Sequence, residues 1–259
     1  MDLGLTDKTA FVLGASSGLG LAIAKCLADE KAHVVLSARK GERLDQALSA
    51  VKQRNASARA FSIDLQNAAE MDRAEAHIRD LKLDILVCNS GGPPAGSATA
   101  SDLSHWRQQF DVMVLNQIRC IRAALPSMVE KKWGRILIIG SSGIIAPIPN
   151  LVLSNSLRSA LVAFAKSLSA EVAGFGVTVN TIVPGRIATP RVAQLDQAAA
   201  EREKSDAASV KQKSVQTIPA GRYGDPEEFA SVATFLVSAR ASYVTGQVTR
   251  VDGGLVRSL

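Results

Sequence analysis

The stretch Thr9-Ala10-Phe11-Val12-Leu13-Gly14-Ala15-Ser16-Ser17-Gly18-Leu19-Gly20 decides the fold. Thr9–Leu13 is a short apolar run of strand length, and it passes directly into a loop with three glycines. A helical pattern follows over Gly20–Asp29. Glycines here permit a tight turn, close approach of the main chain to a phosphate, and close helix–strand packing. The helix start adds unpaired N–H groups and the positive end of a dipole. A glycine triplet alone is a weak signal; between a strand and a helix it marks a dinucleotide-binding unit. Gly14, Ser16, Ser17, Gly18, Leu19 and Gly20 are therefore candidate pyrophosphate contacts.

Outward from this unit the alternation continues. Further candidate strands are His33–Ser37, Ala58–Ile63, Ile85–Cys88, Arg135–Ile139, Thr178–Ile182 and Gln247–Val251. Helical patterns cover Glu42–Arg54, Ala68–Asp80, Leu103–Lys131 and Asn155–Phe175. Continuous apolar strands alternating with helices predict a doubly wound parallel sheet of about seven strands, covered on both faces. At 259 residues, with no internal repeat and no Gly/Ser linker, one α/β domain is expected.

Composition narrows the function classes. With 47% hydrophobic and 21% charged residues, the chain is neither disordered nor disulfide-stapled. Cys26, Cys88 and Cys120 form no pair of metal-site spacing, so no metal is expected, and a reducing compartment is. There is no signal-like start and no apolar run of the roughly 20 residues that span a bilayer, so the chain reads as cytoplasmic and not membrane-bound. The net charge of +6 is spread along the chain without interleaved aromatics, which argues against nucleic acid.

The second strand ends in Leu36-Ser37-Ala38-Arg39-Lys40. An NAD site would place a carboxylate there for the ribose hydroxyls; Ser37, Arg39 and Lys40 instead suit a 2′-phosphate. NADP(H) is thus expected over NAD(H), unless Arg39 and Lys40 merely open a solvated helix. Residues 192–217, rich in Ala, Gln, Lys and Glu, form either a plain surface helix pair or a mobile lid over the pocket. Pro93-Pro94 stiffens the loop over the same pocket.

These motifs resemble those of the short-chain dehydrogenase/reductase family over nearly the whole chain, and within it the 3-oxoacyl-acyl-carrier-protein reductases most of all. Gly14–Gly20 is similar to the family's glycine motif, and Asp64-Leu65 to its adenine-contacting pair. Asn89-Ser90-Gly91-Gly92 stands where the family carries Asn-Asn-Ala-Gly. Pro184-Gly185, followed by Arg186 and Ile187, resembles the turn beside the nicotinamide, and Gly246-Gln247 with Asp252-Gly253-Gly254 the terminal strand and turn. The resemblance implies Asn89, Gly91, Pro184, Gly185 and Ile187 as further cofactor contacts. It also implies a homotetramer or homodimer, with Leu103–Lys131 and Asn155–Phe175 at one interface and the last strand at another.

The family's chemistry uses an Asn, a Ser, a Tyr and, four positions after the Tyr, a Lys. Asn116 matches the Asn that organises a water through its backbone, and Ser141 matches the Ser that positions the substrate carbonyl. The register of Ala160–Glu171 then puts Ser154 in the Tyr place and Arg158 in the Lys place. The only tyrosines, Tyr223 and Tyr243, resemble structural positions of the family. An alkanol is far less acidic than a phenol, Ser154 is too short to reach where a phenolic oxygen would sit, and an arginine cannot shuttle protons. Arg158 can still hold ribose hydroxyls.

The sequence therefore predicts an NADP(H)-dependent oxidoreductase of a carbonyl/alcohol pair with an atypical site. The rival is a non-catalytic NADP(H)-binding sensor or partner subunit. A different side chain acting as the acid is a further possibility, and a structural role is expected for His33 (core), His77 (surface) and His105. The substrate is a small molecule or acyl thioester. If Arg186, with Arg158 and Arg191, turns into the pocket rather than to solvent or a neighbouring subunit, that substrate is anionic.

Overall fold

The computed structural model describes residues 1–258. The elements in order are β1 (Thr9–Leu13), α1 (Gly18–Asp29), β2 (His33–Ala38), α2 (Glu42–Lys52), β3 (Arg59–Ser62), α3 (Ala68–Leu81), β4 (Ile85–Cys88) and α4 (Leu103–Phe110). Then come α5 (Asn116–Glu130), β5 (Gly134–Ile139), α6 (Val152–Val172), β6 (Val177–Pro184), α7 (Pro190–Glu203), α8 (Ala207–Gln216), α9 (Pro226–Leu236) and β7 (Val248–Val251). The seven strands form one sheet, ordered β3-β2-β1-β4-β5-β6-β7, and every neighbouring pair is parallel.

Strand periodicity divides the core into two layers. Ala10, Val12, Ile85, Val87, Leu137 and Ile139 face α1, α2 and α9. Their neighbours Phe11, Leu13, Leu86, Cys88, Ile136 and Ile138 face α3, α5 and α6. Both faces are thus apolar, which is why these strands read as unbroken hydrophobic runs. The α6 face of Leu157, Leu161 and Leu168 packs into the chain's own core, with Phe164 partly buried beside it. No helix among the described residues is long and apolar enough to cross a membrane.

Three expectations are corrected. The helix expected over Leu103–Lys131 is interrupted by a π-helical turn at Asp111–Leu115. Val112, Met113 and Val114 are all buried there against Leu153 and Leu157, so the apolar pattern continued through the extra residue and hid it. His33 is not core: its Nδ1 lies 2.9 Å from Ser57 Oγ and its Nε2 3.6 Å from Asp7, on an exposed strand end. His77 is half-buried rather than on the surface, stacked on Phe61 with ring centroids 4.3 Å apart, and burial lowers its pKa. His105 is exposed.

Candidate active site

A cavity of about 2160 Å³ opens at the carboxyl ends of the strands. It spans the point between β1 and β4 where the strand order reverses, the usual ligand crevice of an open α/β sheet. Of the expected catalytic, cofactor and substrate residues, all line this cavity except Gly20 and Asn116. Those two act from behind the wall.

Gly14 has φ +62° and a Cβ on it would sit 2.6 Å from Asn89 Nδ2; a Cβ on Gly20 would collide with the Gly14 carbonyl oxygen. The loop therefore presents bare main chain to the cavity, and Asn89 Nδ2 donates to the Gly14 carbonyl at 3.4 Å. At α1 the Ser17 side chain makes no cap hydrogen bond, and the first turn holds no acidic residue. The first N–H groups of α1 thus remain available to an anion, which fits a pyrophosphate.

At the tip of β2, Ser37 is fully buried and its Oγ has no hydrogen-bond partner among the described residues. Beyond it Arg39 and Lys40 are exposed at the cavity rim without a carboxylate partner among the described residues. Asp64 Oδ1 accepts from Gln66 N at 3.0 Å, and Leu65 is held by its carbonyl, which accepts from Asn116 Nδ2 at 2.7 Å. The Asn116 side chain is thereby engaged in the wall. Its neighbour Gln117 donates to Met113 O at 2.7 Å, a carbonyl of the π-helical turn, and to Ser90 Oγ at 3.3 Å. The turn thus locks the end of β4 to α5.

Across the cavity, Ser141 follows β5. Its Oγ accepts from Gly143 N at 3.2 Å, so its own hydrogen stays free to donate. Ser154 and Arg158 are four residues apart on α6 and so share a helix face. Ser154 is 7% exposed, and its hydroxyl makes no hydrogen bond among the described residues. Arg158 donates to Ile139 O at 2.8 Å and to Ser90 O at a longer 3.4 Å. Burial, helped by the Arg191 cation, lowers its pKa to about 10, so it remains charged at neutral pH.

A family profile described as enoyl-(acyl carrier protein) reductase matches residues 14–256. The chain belongs to the short-chain dehydrogenase/reductase family. Among curated proteins it is 35% identical over 253 residues to the 3-oxoacyl-[acyl-carrier-protein] reductase of Rickettsia conorii, covering 97% of this chain and 98% of that one. It is 32% identical to dehydrogenase/reductase SDR family member 4 of Sus scrofa, covering 98% of this chain and 89% of that one. Among solved structures, L-sorbose reductase from Gluconobacter frateurii, complexed with NADPH and L-sorbose, superposes with a TM-score of 0.93 at 31% identity, over the whole of both chains.

Within this member of the family, the structure adds contacts that the sequence left unassigned. Asn155 grips the Ile148 backbone twice, accepting from its N–H at 3.3 Å and donating to its carbonyl at 2.9 Å, and so fixes the loop after Ser141 over the cavity. Arg186 lines the cavity but is paired with Asp196 of α7 at 3.3 Å, and Tyr223 donates to the same carboxylate at 3.1 Å. Asp196 is 5% exposed and Tyr223 8%, so α7 is tied to the turn after β6 by a buried polar latch. Tyr223 does not line the cavity, and Tyr243 is fully exposed. A buried Asp six residues into an otherwise Ala- and Gln-rich helix carries no sequence signal of its own.

Proposed function

We propose that the chain is an NADP(H)-dependent oxidoreductase acting on a carbonyl/alcohol pair, with Ser154 and Arg158 in the places that its family resemblance gives to Tyr and Lys. The observation that carries this reading is that the open glycine cradle at α1 shares one cavity with Ser141, Ser154 and Arg158. The exposed Arg39–Lys40 pair supports a 2′-phosphate, and hence NADP(H) over NAD(H). The NADPH in the L-sorbose reductase complex supports the same choice. A 3-oxoacyl thioester or a small ketone suits the relatives' printed activities.

A bound nicotinamide would supply or accept the hydride. Gly14, Ser16, Ser17, Gly18 and Leu19, which line the cavity, would hold its pyrophosphate, Asp64 and Leu65 would serve the adenine end, and Asn89, Gly91, Pro184, Gly185 and Ile187 would form the remaining wall. Ser141 donates its free hydroxyl hydrogen to the substrate oxygen. Arg158 places a fixed positive charge where the alkoxide develops, so electrostatics replace part of what the missing phenol would do. In the family pattern that Asn116 matches, a water held by its backbone would deliver the proton. Helices α7 and α8 act as a lid, latched through Asp196.

Cytoplasmic residence and assembly as a homotetramer or homodimer complete the reading. Leu103 (75% exposed), Phe110 (39%) and Leu115 (42%) are unpartnered beside α5, and Val248 (41%) lies on the edge strand β7. The deciding experiment follows NADPH oxidation with acetoacetyl thioesters and a small carbonyl panel, comparing the wild type with Ser154→Tyr/Arg158→Lys. Turnover by the wild type, raised about 10²–10⁴-fold in the double variant, is expected, the usual worth of one general acid. Turnover by the double variant alone would replace this reading with nucleotide binding without catalysis.

A further inference from the structure

Two guanidiniums from different helices line the cavity, and neither is paired with a carboxylate among the described residues. Arg158 comes from α6 and grips the main chain at Ile139 and Ser90. Arg191 comes from the first turn of α7 and donates to Pro93 O at 2.8 Å and to Gln194 Oε1 at 2.9 Å. Both therefore hold the loop Ser90-Gly91-Gly92-Pro93, whose ends lie at most about 10–11 Å apart. Gly92 is what admits the second one: a Cβ there would stand 2.7 Å from Arg191 Nε.

Neither cation has a carboxylate partner among the described residues, whereas Arg186, which lines the same cavity, is paired with Asp196. Each guanidinium has five N–H donors and spends only two on neutral protein acceptors. Two like charges left partly buried and incompletely bonded are costly unless an anion joins them. Burial lowers the pKa of both, and the Arg191 cation adds to the lowering at Arg158, consistent with this. Ser154, one turn before Arg158, is a short side chain lining the same cavity as Ser141.

We propose that Arg158 and Arg191 together seat a carboxylate, so that among carbonyl substrates the site favours oxo acids over neutral ketones and thioesters. This rests on reading the cavity as a nicotinamide-dependent carbonyl site. Ser141 and one edge of the Arg158 guanidinium then meet the carbonyl oxygen while Arg191, with the remaining Arg158 donors, holds the acid end, and the geometry selects substrates by the spacing between those groups. The cofactor's own phosphates are the competing anions, and the test separates the two.

The test measures binding, not turnover. NADPH affinity is first read from its fluorescence. The protein loaded with NADP⁺, which cannot give up a hydride, is then titrated calorimetrically with three acids and their methyl esters: pyruvate, acetoacetate and levulinate. At least one acid should bind tenfold or more tighter than its ester. Arg191→Gln should remove most of that preference, leave the ester unchanged and keep NADPH affinity within about twofold; Arg191→Lys should retain part of it. Equal binding of every acid and its ester in the wild type overturns the inference even if no variant folds. So does an Arg191→Gln variant that loses NADPH affinity but keeps acid preference, since the pair would then serve the cofactor. Failure of the wild type to bind NADPH would instead overturn the proposed function.

Discussion

At the amino end of β5, Arg135 is 2% exposed and donates to the carbonyls of Ser238 at 3.0 Å, Gly134 at 2.8 Å and Gly176 at 3.2 Å, with its guanidinium 4.4 Å from the Trp133 ring centroid. At the carboxyl end of the same strand, Arg158 donates to Ile139 and Ser90 and otherwise faces the cavity. Burial lowers both to about 10, and neither has a carboxylate partner among the described residues. The difference lies in saturation. Arg135 sits on an aromatic face and stitches three chain segments that meet below the sheet. Arg158 keeps donors in reserve where the strand ends open a crevice. One residue type is thus saturated by main chain at one end of a strand and, in the proposed function, left to bind at the other.

Breaking the upper end should have the largest effect. Gly14→Val puts a side chain at φ +62° and against Asn89, and NADPH affinity should fall at least 100-fold, measured by fluorescence titration with circular dichroism as the folding control. Unchanged affinity would remove the cradle from the cofactor site. Next comes the lower end. Arg135→Ala should cost about 3 kcal/mol in urea unfolding, because three carbonyls lose their donor and a cavity opens, while NADPH affinity holds in the folded protein. Arg158→Ala should cost under about 1 kcal/mol, since removing a repelled, partly buried cation offsets two bonds to neutral oxygens. Equal losses at the two ends would erase the contrast.

Smaller effects sharpen it. Tyr223→Phe removes one hydrogen bond from the Asp196 latch but leaves Arg186 in place, so about 1 kcal/mol should be lost in the same assay. The last concerns pH. Arg222, with Oε1 and Oε2 of Glu228 at 2.6 and 2.7 Å, holds that exposed carboxyl at about 2, below its unfolded value near 4.3. A lowered carboxyl stabilises the folded state above the unfolded pKa and ceases to do so as pH falls through the folded one. The Tm gap between wild type and Glu228→Gln should therefore be small, constant above about pH 5, and vanish towards pH 2. A gap that widens on acidification would contradict the pairing.

The residues differ in how far they could be read in advance. The Thr9–Gly20 unit was legible because strand, glycines and helix are contiguous, and the structure assembles them as local rules require. His33 was misplaced because three apolar residues follow it, although the strand's first position emerges from the sheet. The π-helical turn was invisible because burial of Val112, Met113 and Val114 keeps the pattern apolar at any helical pitch. Arg135 did carry a signal, a lone charge in an apolar strand, but its acceptors lie at Gly176 and Ser238. The Asp196–Tyr223–Arg186 latch joins three segments separated in the chain and left no pattern in any of them.

The sequence by itself determined the parallel doubly wound sheet and the glycine turn between β1 and α1, because each depends on periodicity or on neighbours within a few residues, whereas the places given to Ser154 and Arg158 rest on the family resemblance. Only the tertiary structure decided which arginines are neutralised, which hold main-chain carbonyls and which keep free donors. Charge pairing over a few ångströms depends on distance in space, and Asp196 meets Arg186, while Arg158 and Arg191 have no carboxylate partner among the described residues, because of how α7 folds back over the ends of the strands.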